Sequence, residues 1–173
     1  LLSHLIRKEP RLFRSISATT RCRRRGERDK RDYRFLSSKQ FEQARRKGAF
    51  LESARILGHW YGTPRAPIER ALRAGRDVLL GLDIQGAAQI RRCGIPAATI
   101  FLLPPSLAVL RKRLKHRNTE MPDQIQARLQ LARRELAQLK HYDYAVVNDR
   151  LEEAVCRVQA ILKAEKCRLN HKR

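Results

Sequence analysis

A chain of 173 residues is about one domain long and can bury a core of its own. Its 42% hydrophobic and 32% charged residues exclude disorder throughout, and no apolar run approaches the roughly 18 residues a membrane helix needs. The outlier is charge: 39 Lys+Arg against 17 Asp+Glu give +22, so non-specific polyanion binding is expected from the field alone.

The opening LLSHLIRKEP has an apolar patch too short for a signal peptide and no cleavage site after it, so the expected compartment is cytoplasmic and no membrane partner is expected. Leu1, Leu2, Leu5 and Ile6 form one helical face before Pro10, yet nothing caps its start. An uncapped helix at residue 1 points to a chain cut from a longer one. Next comes SISATTRCRRRGERDKRDYRF, residues 15–35. Composition leaves open whether its arginines form a solvated face or hold one phosphate. Arg21 and Arg24 stand three apart, and two guanidinium forks converging on one group make a clamp.

The segment from Ser37 to Thr63 is too long for a crossover loop and reads as a small subdomain inserted over a sheet edge. Three nearly continuous apolar runs, Asp77–Asp83, Ala98–Leu103 and Tyr144–Asn148, predict strands covered on both faces. Between them lie helical patterns. One runs from Pro67 to Ala74 and stops at Gly75. Another follows Ser106, a predicted N-cap, through Leu107, Leu110 and Leu114. A third spans Asp123–Lys140, with Ile125, Leu129, Ala132, Leu136 and Leu139 on one face. The last starts after Asn148-Asp149 and carries Leu151, Ala154, Val155, Val158, Ile161 and Leu162. Strands alternating with helices predict an α/β fold with a parallel sheet. Ligands of such sheets sit outside the carboxyl ends of the strands, where Tyr33, Glu52, Tyr61 and Asp83 could converge. The four cysteines, Cys22, Cys93, Cys156 and Cys167, contain no C-x-x-C pair and are expected to be reduced, mostly structural thiols, with no zinc site.

Six blocks carry a resemblance: SATTRxxRxGExxxxDYxF at 17–35, Gly48-Ala-Phe-Leu-Glu52, Gly58-His-Trp-Tyr-Gly-Thr63, Val78-Leu-Leu-Gly-Leu-Asp-Ile-Gln-Gly86, Ile100-Phe-Leu-Leu-Pro-Pro-Ser106 and YDYAVVND at 142–149. In this order and at this spacing they resemble guanylate kinase from residue 1 to about 166. The resemblance implies a P-loop kinase-like parallel sheet flanked by helices. It also implies an inserted GMP-binding subdomain at about 17–66, a helical lid at about 113–128, and a polar tail at 167–173. The implied reaction moves the γ-phosphoryl group of ATP to GMP, giving GDP and ADP, with Mg²⁺.

Roles follow position by position. Arg21, Arg24, Tyr33 and Tyr61 match residues that hold the GMP phosphate; Ser17, Glu52, Thr63 and Asp83 match those that read guanine or lie beside it. Arg113, Arg117 and Arg128 match lid arginines that close over the transferring group. Arg113 and Asn148 match the ATP side, although Arg113 could pair within its helix and Asn148 could be a cap. None of these is a metal ligand. Guanine offers N1–H and N2–H₂ donors that a carboxylate such as Glu52 accepts, and an O6 that needs a hydroxyl donor. Adenine presents the opposite pattern, which would leave the same groups unpaired.

Some positions depart from the family. GxxxxGK[ST], which holds ATP phosphates, does not occur in these residues and is expected just upstream; without it the chain is expected not to transfer phosphoryl from ATP. Gly81 stands where the family usually has Asp or Glu. Lys30 and Asn118 replace glycines, and Arg23 and Arg25 replace uncharged residues. The competing expectation is a non-catalytic guanylate kinase-like binding module that uses the GMP cleft. The complete polar set favours the enzyme.

Overall fold

A computed structural model describes residues 1–116 and 122–169. The contacts divide the chain into two compact units, one over Leu2–Ile95 and one over Pro96–Arg173 together with Leu1.

In the first unit, α1 (Leu2–Lys8) buries Leu5 completely. It leads into β1 (Phe13–Arg14), which pairs in parallel with β6 (Val78–Leu79). The strand expected over 77–83 is therefore only two residues long. Leu80 and Leu82 beyond it use their side chains instead, packing on the cluster of Leu51, Ile68 and Ile90.

A separate four-stranded sheet has the order β3 (Arg34–Phe35), β2 (Ala18–Thr19), β5 (His59–Pro64), β4 (Phe50–Ile56). Strands β4 and β5 form a hairpin whose turn, Leu57-Gly58, has φ of 46° and 86°. Two consecutive positive φ values match the right-handed twist of the strands they join, which is why Gly occupies the second. The intervening α2 (Ser38–Arg46) starts on a capping box: the Ser37 hydroxyl accepts from Gln40 N–H, and the Gln40 side chain accepts from Ser37 N–H. Phe41, fully buried on α2, stacks on Phe50 at 4.6 Å and lies 5.9 Å from Trp60. A Cβ at Gly62 would come within 3.0 Å of the Phe41 ring and 3.1 Å of Phe50, so glycine is what lets the rings lie against β5.

The hairpin continues into α3 (Arg65–Arg73), two residues earlier than the Pro67 start expected from the sequence. Pro67 fits because the first-turn N–H groups of a helix have no intrahelical partner. The unit closes with α4 (Ile84–Arg92), capped by the Asp83 side chain.

In the second unit, β7 (Ile100–Leu103) and β8 (Tyr144–Val147) pair in parallel, in register from Ile100↔Tyr144 to Leu103↔Val147. Leu102 and Val147 are exposed, so these strands are not covered on both faces as their apolar character suggests. Ser106 caps α5 (Leu107–His116) as expected, its hydroxyl accepting from Val109 N–H at 3.1 Å. α6 (Pro122–Leu136) ends before Lys140, and Leu139–His141 form a 3-10 turn, so Leu139 leaves the predicted helical face. α7 (Leu151–Lys166) buries Ala154, Val155 and Val158 and packs against β8, whose Val146 is also buried. Its N-cap is Arg150, which makes no side-chain cap bond; Asn148-Asp149 is not the cap.

All four cysteines are free and exposed, which corrects the expectation of mostly structural thiols. Among the described residues no helix is long and apolar enough to cross a membrane.

Candidate functional site

The register of β4 against β5 places the polar residues. Glu52 faces Thr63, Ala54 faces Tyr61 and Thr19 of β2 faces Tyr61. Alternation then puts Glu52, Tyr61 and Thr63 on one face, while Trp60 and Gly62 turn to the other, where the aromatic rings of α2 and β4 lie. An irregularity between Phe50 and Glu52 inserts Leu51 as an extra residue. Leu51 and Glu52 are both buried there.

At one end of this face the Glu52 carboxylate is 5% exposed and accepts from the Thr63 hydroxyl at 2.5 Å. Burial pushes the Glu52 carboxyl above the ordinary carboxylate range, and the charge of Asp83 adds to this against the Thr63 bond. Asp83 itself turns one oxygen to Gly86 N–H at 2.8 Å, capping α4. Gln89, one turn on, holds β4 by donating to the Ser53 carbonyl at 2.9 Å and accepting from its N–H at 3.2 Å.

At the other end lies the basic loop. Arg21 makes a two-pronged bond to Glu27, at 2.8 and 3.1 Å, and donates to the Cys22 carbonyl at 2.7 Å. Its guanidinium lies 5.4 Å from the centre of the Tyr33 ring and 5.9 Å from that of Phe35. Burial would lower the Arg21 pKa, but the bonds to Glu27 and the Tyr61 hydroxyl outweigh it and raise it. Tyr33 meets Tyr61 edge-on at 6.0 Å, and burial raises its phenol pKa. Glu27 also accepts from the Arg24 backbone N–H at 2.8 Å; the Arg21 bond draws its own carboxyl below the ordinary range. One carboxylate thus holds the side chain of one predicted clamp arginine and the backbone of the other. Thr19 secures the loop's origin, donating to the Trp60 carbonyl at 2.9 Å and accepting from Arg21 N–H at 3.1 Å.

The structure therefore gathers Glu52, Thr63 and Asp83 at one end and Arg21, Arg24, Tyr33 and Tyr61 at the other. Ser17 sits at the entry to β2, its carbonyl accepting from Arg34 N–H at 2.9 Å. Lys30 adopts φ 59°, retaining the left-handed turn that glycine would serve. At Gly81 a Cβ would come 2.8 Å from Leu2 Cδ1, so a leucine methyl stands against this glycine.

In the second unit Arg113 donates to the Asn148 and Asp149 carbonyls at 2.6 and 2.9 Å, tying α5 to the loop between β8 and α7 instead of pairing within its helix. Asn148 N–H donates to Leu103 O at 2.7 Å. Arg128 lies on α6; Arg117 and Asn118 fall outside the described residues.

Two residues escaped the sequence reading. Glu27 had a signal, being the acid nearest both clamp arginines. Gly86 had none, because its proximity to Glu52 arises only when α4 meets β4.

Magnesium accompanies ATP in the implied reaction. Among the described residues no group of three His, Cys, Asp or Glu could hold a metal ion, and Asp83, the carboxylate beside Glu52, uses one oxygen to cap α4. Magnesium is commonly held by one or two carboxylates together with nucleotide phosphates, so no all-protein cage is required for it.

Comparison with known proteins bears directly on this geometry. The guanylate kinase family model matches residues 1–165. A guanylate kinase of Thermus thermophilus is 52% identical over 158 residues, covering 91% of this chain and 72% of its own length. That of Clostridium perfringens (strain 13 / Type A) is 42% identical over 166 residues, covering 96% and 77%. The crystal structure of guanylate kinase from Anaplasma phagocytophilum superposes with a TM-score of 0.82 at 32% identity, over 96% of this chain and 83% of that one. With a P-loop kinase-like α/β fold and a family match over nearly its whole length, this chain belongs to the guanylate kinase family.

Proposed function

We propose that the β5 face is a GMP site, with Glu52 at the base and Arg21 at the phosphate, in an enzyme that makes GDP and ADP from GMP and ATP. The observation that carries this reading is a single sheet face with a buried carboxylate at one end and a tyrosine-flanked arginine at the other. Guanine presents two adjacent donors to a carboxylate, and the monophosphate presents a dianion to guanidinium forks.

Glu52 accepts from N1–H and N2–H₂, with Asp83 and Ser17 beside the base, and the Thr63 hydroxyl orients Glu52. Arg21 and Arg24 neutralise the phosphate, and the Tyr33 and Tyr61 hydroxyls donate without adding charge. One phosphate oxygen then attacks the γ-phosphorus of ATP in line, and the bond to the ADP oxygen breaks. Little covalent work falls to the protein, so Arg128 and Arg117 contribute positive charge over the transferring group. Arg113 acts from α5 by setting the loop that carries Asn148 on the adenine side. Magnesium would be held mainly by the ATP phosphates and supplies charge neutralisation there.

ATP phosphates also call for GxxxxGK[ST], which these 173 residues do not contain. The 173 residues are therefore expected to bind GMP without turnover. Calorimetry with GMP and AMP tests the site: a GMP preference of about 100-fold is expected from the mismatch of donors and acceptors, and equal affinities would remove the base-reading assignment. A coupled ADP-release assay on the same chain tests the second point; turnover with ATP and GMP would overturn it.

A further inference from the structure

Glycine at position 86 runs against the intrinsic preferences of a helix. It is the third residue of α4, where alanine would form the helix more readily. Its φ is not positive, so no backbone requirement selects it. Space does. A Cβ at this position would come 2.7 Å from Glu52 Oε2, 3.1 Å from the Glu52 carboxyl carbon and 3.2 Å from Asp83 Oδ1.

Such close contacts are tolerable when the far end of a free side chain can swing away. Here the Glu52 carboxylate is buried, and its other oxygen is held by Thr63. The neighbouring Asp83 oxygen is fixed by the Gly86 N–H. Gln89 pins the backbone of the next residue, Ser53, to the same helix, so β4 cannot withdraw from α4 to make room. The group that must yield is the carboxylate that accepts from the base.

We propose that Gly86 is a positioning residue for base selectivity. It acts through Glu52, and its missing side chain leaves the space that the carboxylate needs to face the guanine N1–H and N2–H₂ edge. This rests on the GMP reading of the site. A methyl group there displaces the acceptor, and the penalty falls on the nucleotide that uses both donors, GMP, more than on IMP, which has only N1–H.

The test is a four-protein cycle on the full 173-residue chain: wild type, Gly86→Ala, Glu52→Ala and the double variant, with melting temperatures and calorimetric titrations of GMP, IMP and AMP. Gly86→Ala is expected to weaken GMP about tenfold, the scale of one lost charge-assisted bond, and to narrow the GMP-to-IMP ratio. In the Glu52→Ala background the same change is expected to leave GMP affinity within about twofold. Its destabilising effect on melting temperature should shrink sharply without Glu52, because the helix preference is then opposed only by the looser 3.2 Å approach to Asp83 Oδ1.

An unchanged GMP-to-IMP ratio in Gly86→Ala, or an equal loss in both backgrounds, would overturn the proposal. If Gly86→Ala fails to fold, a folded double variant still supports it and an unfolded one overturns it. Failure of the underlying GMP reading looks different: wild type would then bind GMP and AMP equally, while the melting-temperature cycle would still report the contact between Gly86 and Glu52.

Discussion

At the proposed base end of the β5 face, the polar group is a carboxylate buried in a sheet, held by a cross-strand hydroxyl and pressed against a helix start. At the proposed phosphate end, the polar group is a guanidinium on a loop, held by Glu27 from the same loop and leaning on Tyr33 and Phe35. The first is stabilised by long-range packing and suffers from burial; the second is stabilised by a local ion pair. Their electrostatics are opposite in consequence. Burial raises the Glu52 carboxyl, whereas the Arg21 bond lowers that of Glu27. On the proposed reading, discrimination would depend on a site whose geometry the whole unit enforces, and charge attraction on one that a single loop organises.

The largest expected effect separates the two ends by ligand. Arg21→Ala should weaken GMP by about 10–100-fold, the range for a lost charge-assisted bond, and leave guanosine nearly unchanged; equal losses in titration would merge the two ends into one.

Next are two substitutions of opposite sign. Gly62→Ala forces a methyl into the Phe41 and Phe50 rings and should cost about 1–3 kcal/mol, or about 2–4 °C of melting temperature for each kcal/mol in a chain of this size. Lys30→Gly, in the clamp loop, should instead raise stability by about 0.5–1 kcal/mol, because it relieves a left-handed residue. A thermal melt in which Lys30→Gly proves the more damaging would show that the loop, too, is held by packing.

The smallest effect is the pH dependence, and its sign differs between the ends. A raised Glu52 means that the folded protein holds this proton more tightly than the unfolded chain. Its contribution therefore falls as pH rises from the ordinary carboxylate value, about 4.3, through the raised one. Glu27, being lowered, contributes stability that is present above that ordinary value and lost as pH falls through the depressed one. Melting curves of Glu52→Gln and Glu27→Gln against wild type, between about pH 3 and pH 8, should give difference profiles of opposite slope. Parallel profiles would mean that the two carboxylates share one environment.

The polar residues of the β5 face were easier to single out in the sequence than the ends of the helices and strands that carry them. Ser106 capping α5 and the stop at Gly75 are local chemistry, and both appear where the sequence places them. The run at 77–83 failed as a strand because pairing needs a partner: β1 offers two residues, and the remaining leucines serve the core through their side chains. Leu139 failed as a helical residue because periodicity records which face is apolar, not where the backbone stops being α-helical. Glu52, Thr63, Arg21 and Tyr61 were identifiable because blocks of sequence resemble a family. Their adjacency came from register and a bulge, neither of which leaves a trace in composition.

By itself, then, the sequence determined the α/β alternation, the excess positive charge, the family and the residue types that suit guanine and phosphate, since each depends on local pattern or side-chain chemistry. Only the tertiary structure decided that Glu27 clasps Arg21, that a leucine methyl stands beside Gly81, and that Gly86 leaves room for Glu52. Those outcomes depend on distances between elements far apart in the chain, and such distances are set by packing and register, which no single segment encodes.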